Sequence, residues 1–122
     1  MAEMKELTRI EEVDQILGES SNKPIFIFKH NHICPISVGA FRHYEAFVRG
    51  YEKEDILFTL IRIREHRDIS NAIAERLGVK HESPQAILVV DGRAVWNDSH
   101  YEITENKLKQ VVMMYENNSL KA

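Results

Sequence analysis

Cys34 carries the only thiol in the chain, and its neighbours define what that thiol can do. The apolar run Ile25-Phe26-Ile27-Phe28 leads through Lys29-His30-Asn31-His32-Ile33 to Cys34-Pro35-Ile36-Ser37. Beyond it, Phe41, Tyr44 and Val48 recur at helical spacing. A strand therefore ends where a helix begins, and the sulfur falls in the first helical turn. The first N–H groups of a helix have no intrahelical partner, and its dipole puts partial positive charge there. A thiolate is favoured at such a place, which suits nucleophilic attack on a disulfide. The competing role for a lone cysteine is that of a small buried apolar residue. The strand-to-helix junction and the adjacent Pro35 favour exchange chemistry.

One thiol limits that chemistry. A dithiol exchanger resolves its mixed disulfide with a second cysteine, but the residue three positions on is Ser37. Its hydroxyl cannot form a disulfide, so a thiol from another molecule must complete the cycle. Ser37 is expected to hydrogen-bond the Cys34 sulfur, which would further favour the thiolate. His32, two residues before Cys34, either tunes the thiolate or is a solvated loop residue. His30, His32 and Cys34 alternate and have the donor types of a zinc site. Their spacing matches no usual ligand pattern, however, and His81 or His100 would have to complete the set from a distance, so no metal is expected. His43 and His66 read as surface residues. Trp96 and Tyr101 read as packing residues or as the wall of a substrate groove.

The elements that must position Cys34 follow from periodicity. Thr8 and Glu11 fit a capping box for a first helix carrying Ile10, Val13, Ile16 and Leu17. Residues 23–29 read as a strand apolar on both faces, as a central strand covered by helices requires. A second helix spans about 34–49, with Pro35 tolerated in its first turn and Gly50 as its stop. Residues 56–63 form the next strand. Asp68 is the expected cap of a third helix ending at Gly78. Strands at 85–90 and 93–97 flank Asp91-Gly92, a two-residue hairpin signal. Thr104 caps a last helix carrying Leu108, Val111, Val112 and Tyr115, and the tail from Glu116 is expected to fray.

The order α-β-α-β-α-β-β-α, with a cysteine after the first strand, resembles the thioredoxin arrangement. The expected fold is thus α/β, a four-stranded mixed sheet with helices on both faces. It forms a single domain over residues 1–122 with its core at about 8–115. In thioredoxin-like proteins a cis-proline precedes the third strand, and Pro84 stands there. A cis bond at Ser83-Pro84 would face Cys34 and leave backbone groups of Ser83 free to pair with an extended substrate.

Totals set the remaining bounds. With 16 basic and 19 acidic residues the net charge is −3, which gives no footprint for nucleic acid or an anionic membrane. No apolar run approaches the roughly 20 residues of a membrane span. The start of the chain has no signal-peptide core, and a reducing cytoplasm suits a lone thiol.

Three segments in order resemble the monothiol, YtxJ-like bacilliredoxins: Ile33-Cys34-Pro35-Ile36-Ser37, His81-Glu82-Ser83-Pro84-Gln85, and Trp96 with Ser99-His100 and Ile103-Thr104. The resemblance implies removal of bacillithiol, or a similar low-molecular-weight thiol, from S-thiolated client proteins. Cys34 would attack, Pro84 would be the cis-proline, and Pro35 and Ser37 would support catalysis. His32, Ile33, His81, Ser83 and Trp96 would lie near substrate. The small thiol would be a co-substrate, no cofactor would be tightly bound, and the protein would be a monomer or weak dimer. Ile33 departs from the family's usual threonine and removes a hydroxyl beside the cysteine. Two rival functions share these residues: a redox sensor that holds its modification, and a peptide-binding domain without turnover.

Overall fold

Six consecutive buried residues, Ile25 to His30, form the strand on which the molecule is built. The computed structural model describes residues 2–120. Its elements run β1 (Met4–Glu6), α1 (Glu11–Glu19), β2 (Ile25–His30), α2 (Pro35–Gly50), β3 (Leu57–Arg62), α3 (Arg67–Leu77), β4 (Gln85–Val90), β5 (Arg93–Ser99), a 3-10 turn at His100–Glu102, and α4 (Glu105–Glu116). The sheet order is β1-β3-β2-β4-β5. Strands β1, β3 and β2 are parallel, β4 runs antiparallel to β2, and β5 runs antiparallel to β4.

Alternation along the central strands sends side chains into two cores. Phe26, Phe28, Ala86 and Leu88 meet Tyr44 and Phe47 of α2 and Leu108 and Val111 of α4. Ile25, Ile27, Ile87 and Val89 meet Val13 and Ile16 of α1 and Ile69 and Ile73 of α3. Each fully buried side chain of this size contributes about 1.5–3 kcal/mol. The aromatic side is ordered by geometry as well: Phe28 stacks on Tyr44 with ring centroids 4.8 Å apart, and the Tyr44 hydroxyl donates to the Thr59 carbonyl at 2.9 Å.

The sheet has five strands where four were expected. The extra strand is β1, three residues with no apolar alternation, and it exists only because β3 offers a free parallel edge. Leu7 continues the contact, its N–H donating to the Leu60 carbonyl at 2.9 Å, and its side chain is fully buried. The cap of α1 also differs from the expected Thr8–Glu11 box. The Glu12 carboxylate, one residue later, accepts from the Thr8 and Arg9 N–H groups, and those bonds hold its pKa below the usual value. His66, not Asp68, is the N-cap of α3, and Gly50 is the last residue of α2 rather than its stop.

Other boundaries agree with the sequence. Gly78 ends α3 at φ 65°, and Asp91 and Gly92 form the hairpin turn with φ 51° and 74°, the pair of positive angles a type I′ turn needs. That turn is tied to α1, whose Ser20 hydroxyl accepts from the Gly92 N–H at 2.7 Å. Thr104 accepts from the Lys107 N–H as the α4 cap. Beyond Glu116 the chain closes on itself instead of fraying. Asn118 adopts φ 62°, the Ser119 N–H reaches the Met114 carbonyl, and Leu120 packs on the core. The last two residues lie outside the described part.

Candidate active site

The carboxyl end of β2 delivers the chain into a tight turn. The Asn31 carboxamide accepts from the Ile33 N–H at 3.2 Å, and the Cys34 N–H returns to the Asn31 carbonyl at 3.1 Å. Cys34 is then the N-cap of α2 in extended conformation, with Pro35 at the first helical position. Its carbonyl accepts from Val38, the opening bond of the helix. The thiol is free and partly exposed. It therefore sits at the end of the helix where backbone N–H groups meet negative charge.

Ser37 does not hydrogen-bond that sulfur. It is fully buried, its Oγ lies 2.8 Å from His30 Nδ1, and it accepts from the Asn31 N–H at 2.9 Å. The hydroxyl that stands where a resolving thiol would be is thus committed to the turn beneath Cys34. His30, expected to begin the loop, is instead the last residue of β2, buried and stacked on Phe41 at 4.7 Å. Burial, with Arg62 and His32 nearby, lowers its pKa to about 4, although Glu65 opposes the shift. Its ring is neutral at pH 7. His32 is exposed and lies 3.7 Å from the equally exposed Glu65. Ile33 is 59% exposed beside Cys34.

Across β2, the β4 register pairs Lys29 with Gln85. Pro84 therefore lies at the same end of the sheet as the β2–α2 turn. The Ser83–Pro84 peptide bond is cis. The Pro84 carbonyl accepts from the His100 N–H at 3.1 Å, which ties this loop to the 3-10 turn after β5. A cleft of about 280 Å³ runs between the first turns of α2 and the 3-10 turn, lined by Pro35, Ile36, His43, His100 and Tyr101. Tyr101 is 79% exposed. His43 caps α4, its Nδ1 accepting from the Glu105 N–H at 3.0 Å.

The remaining candidates separate. Trp96 lies in the middle of β5, opposite Leu88 and edge-on to Phe26 at 6.3 Å. It packs on the core and does not line the cleft. His81 directs its Nδ1 inward to Lys29 Nζ at 3.2 Å and Ser70 Oγ at 3.3 Å. Lys29 is the residue that sequence reasoning passed over: it is fully buried in the middle of the sheet. Its only signal was a lysine placed directly after the apolar run Ile25 to Phe28. Among the described residues no cluster of three His, Cys, Asp or Glu side chains is placed to hold a metal ion.

The family model described as monothiol bacilliredoxin BrxC matches residues 5–108. The chain belongs to the monothiol bacilliredoxin family. A solved structure described provisionally as an oxidoreductase with a thioredoxin fold is 35% identical, with a TM-score of 0.78 over 89% of this chain and 93% of that one. The fold recurs at lower identity. Thioredoxin from Fasciola hepatica superposes with a TM-score of 0.70 at 16% identity, over 90% of this chain and 97% of its own. The thioredoxin NaTrxh from Nicotiana alata gives 0.72 at 17%, over 92% and 91%. Bacilliredoxin membership and a thioredoxin-like fold together assign this chain a thiol-redox role.

Proposed function

We propose that the protein removes a low-molecular-weight thiol, bacillithiol foremost, from S-thiolated proteins in the cytoplasm. The observation that carries this reading is a single, partly exposed thiol at the N-cap of α2 with a buried, fully engaged hydroxyl in the resolving position. The Cys34 thiolate attacks the sulfur of the small thiol in the client's mixed disulfide. That S–S bond breaks, the client cysteine leaves as a thiolate and is protonated by water, and Cys34 holds the small thiol. A second molecule of the small thiol, as thiolate, then attacks the mixed disulfide. A symmetric small-molecule disulfide departs and the Cys34 thiolate is regenerated.

S-thiolated client proteins and the small thiol are the partners in this scheme, which needs no tightly bound cofactor and no second subunit. Intact-mass spectrometry tests it. Reduced protein is mixed with a bacillithiolated client and, in parallel, with a glutathionylated one. Appearance of the bacillithiol mass on Cys34, absent in Cys34→Ser, supports the scheme. Transfer of glutathione alone keeps the mechanism and replaces the thiol. No transfer from either, with Cys34 open to alkylation, overturns it in favour of a binding domain.

A further inference from the structure

Lys29 is buried on the α1/α3 side of the sheet, where its strand neighbours Ile25 and Ile27 contribute only hydrocarbon. Burying an ammonium group without a carboxylate is costly. Its hydrogen-bonding partners are the Ser70 carbonyl at 3.1 Å and His81 Nδ1. Ser70 lies within α3, where its carbonyl already has the helical acceptor role toward Ala74. The fold would lose no helical bond without the lysine. The contact that depends on it is the one to His81, in the loop that ends at Pro84.

Besides the Ser70 Oγ contact to His81 and the His100 bond to Pro84, two side chains of the central strands grip that loop. Gln85, the cross-strand neighbour of Lys29, donates from Nε2 to the Lys80 carbonyl at 2.9 Å. Adjacent strands thus send two donors to consecutive loop residues, Lys80 and His81. An ammonium can only donate, so His81 Nδ1 accepts and the ring proton resides on Nε2. Burial first, then Lys29 and Arg67, lower the His81 pKa against the opposing Glu82, in keeping with a neutral ring. The buried side-chain atoms without a partner among the described residues, Ser83 Oγ and Gln85 Oε1, belong to this same segment. The side chains of Ser83 and Gln85 thus leave much of the hold on this segment to the clamp and to the Pro84–His100 backbone bond.

We propose that Lys29 is a positioning residue of the exchange site, fixing residues 80–84 through His81 so that Ser83 and Pro84 present a set wall to substrates attacked by Cys34. This rests on the exchange reading. The test follows steady-state transfer from a synthetic peptide bearing a bacillithiol mixed disulfide, alongside alkylation of Cys34 by iodoacetamide. Lys29→Met and His81→Ala should each raise KM about tenfold, the worth of one lost hydrogen bond to a charged group. Neither should change kcat or the alkylation rate appreciably. His81→Asn, whose Oδ1 takes the place of Nδ1, should restore KM. A wild-type KM in Lys29→Met and His81→Ala, or an Asn variant no better than Ala, overturns the assignment. A wild-type protein that transfers nothing sinks the exchange reading and the positioning role with it. Failure of the positioning role alone instead leaves wild-type transfer intact.

Discussion

Ser37 Oγ sits 2.8 Å from His30 Nδ1, and the same oxygen accepts from the Asn31 N–H. Both ends of the β2–α2 turn are thereby fastened to the one position where a dithiol relative would keep its second thiol. The monothiol character of the site is built into the packing as well as into the cysteine count.

Ser37→Cys is expected to change the chemistry and weaken the fold together. A thiol there can resolve the Cys34 mixed disulfide, so the small-thiol adduct should vanish in favour of an internal disulfide, two mass units lighter than the reduced protein. Loss of the hydroxyl's bonds to His30 and Asn31 should lower stability by about 1–3 kcal/mol. Intact-mass spectrometry and urea denaturation of the reduced variant read the two effects separately. A persistent small-thiol adduct would show that the second thiol does not reach Cys34.

His30 makes the fold sensitive to acid. Its folded pKa of about 4 lies below its unfolded value near 6.5. Between those limits the unfolded chain binds a proton that the folded one does not, so stability falls as pH drops through this window and levels off below about 4. The loss should approach ~3 kcal/mol at most. In His30→Phe, which retains an aromatic ring against Phe41, the slope between pH 6.5 and 4 should flatten. Denaturant midpoints measured across that range check it, and an unchanged slope would assign the acid sensitivity elsewhere.

Lys29 gives a pH dependence of the same sign in a more alkaline window. Burial lowers its pKa to about 8, so between pH 8 and 10.5 the unfolded chain holds a proton the folded one has released. Stability should rise with pH through that interval and lose this rise in Lys29→Met. At pH 7 the methionine variant should be more stable by ~1–3 kcal/mol, because an apolar side chain of similar size replaces a desolvated charge. Thermal melts at pH 7 and 10 decide it; a variant less stable at pH 7 would mean that the His81 contact outweighs the desolvation.

At the far end of the sheet, Ser20→Ala should cost about 1–2 kcal/mol by leaving the Gly92 N–H without its acceptor. Because α1 and the β4–β5 turn lie away from Cys34, the transfer rate at a temperature well below the midpoint should not change. A melt and a transfer assay on the same sample test both halves.

Much of this architecture was legible in the sequence, for identifiable reasons. Strand β4 and the Asp91-Gly92 turn agree residue for residue, since local apolar content and turn chemistry specify both. Thr104 and Gly78 act as the caps their residue types predict. Strand β1 was invisible because Met4-Lys5-Glu6 has no pattern of its own and pairs only where β3 leaves an edge open. At the site, the position of Cys34 could be read from periodicity. The partners of Ser37 could not, because hydrogen bonds across a turn leave no spacing signature. Lys29 was missed because a lysine at the end of an apolar run reads as the start of solvent, when the chain in fact continues one residue deeper, to His30.

The two margins of the sheet complete the account. On one side β1 is only three residues long and carries Lys5 and Glu6. On the other, the pairing of β5 with β4 is interrupted by a bulge at Leu88/Val89, and Arg93 and Asp98 stand on the strand. Short, charged or irregular margins are poor templates for a strand from another chain. These borders leave the molecule resistant to edge-to-edge aggregation, whether with its own copies or with exposed strands of other chains.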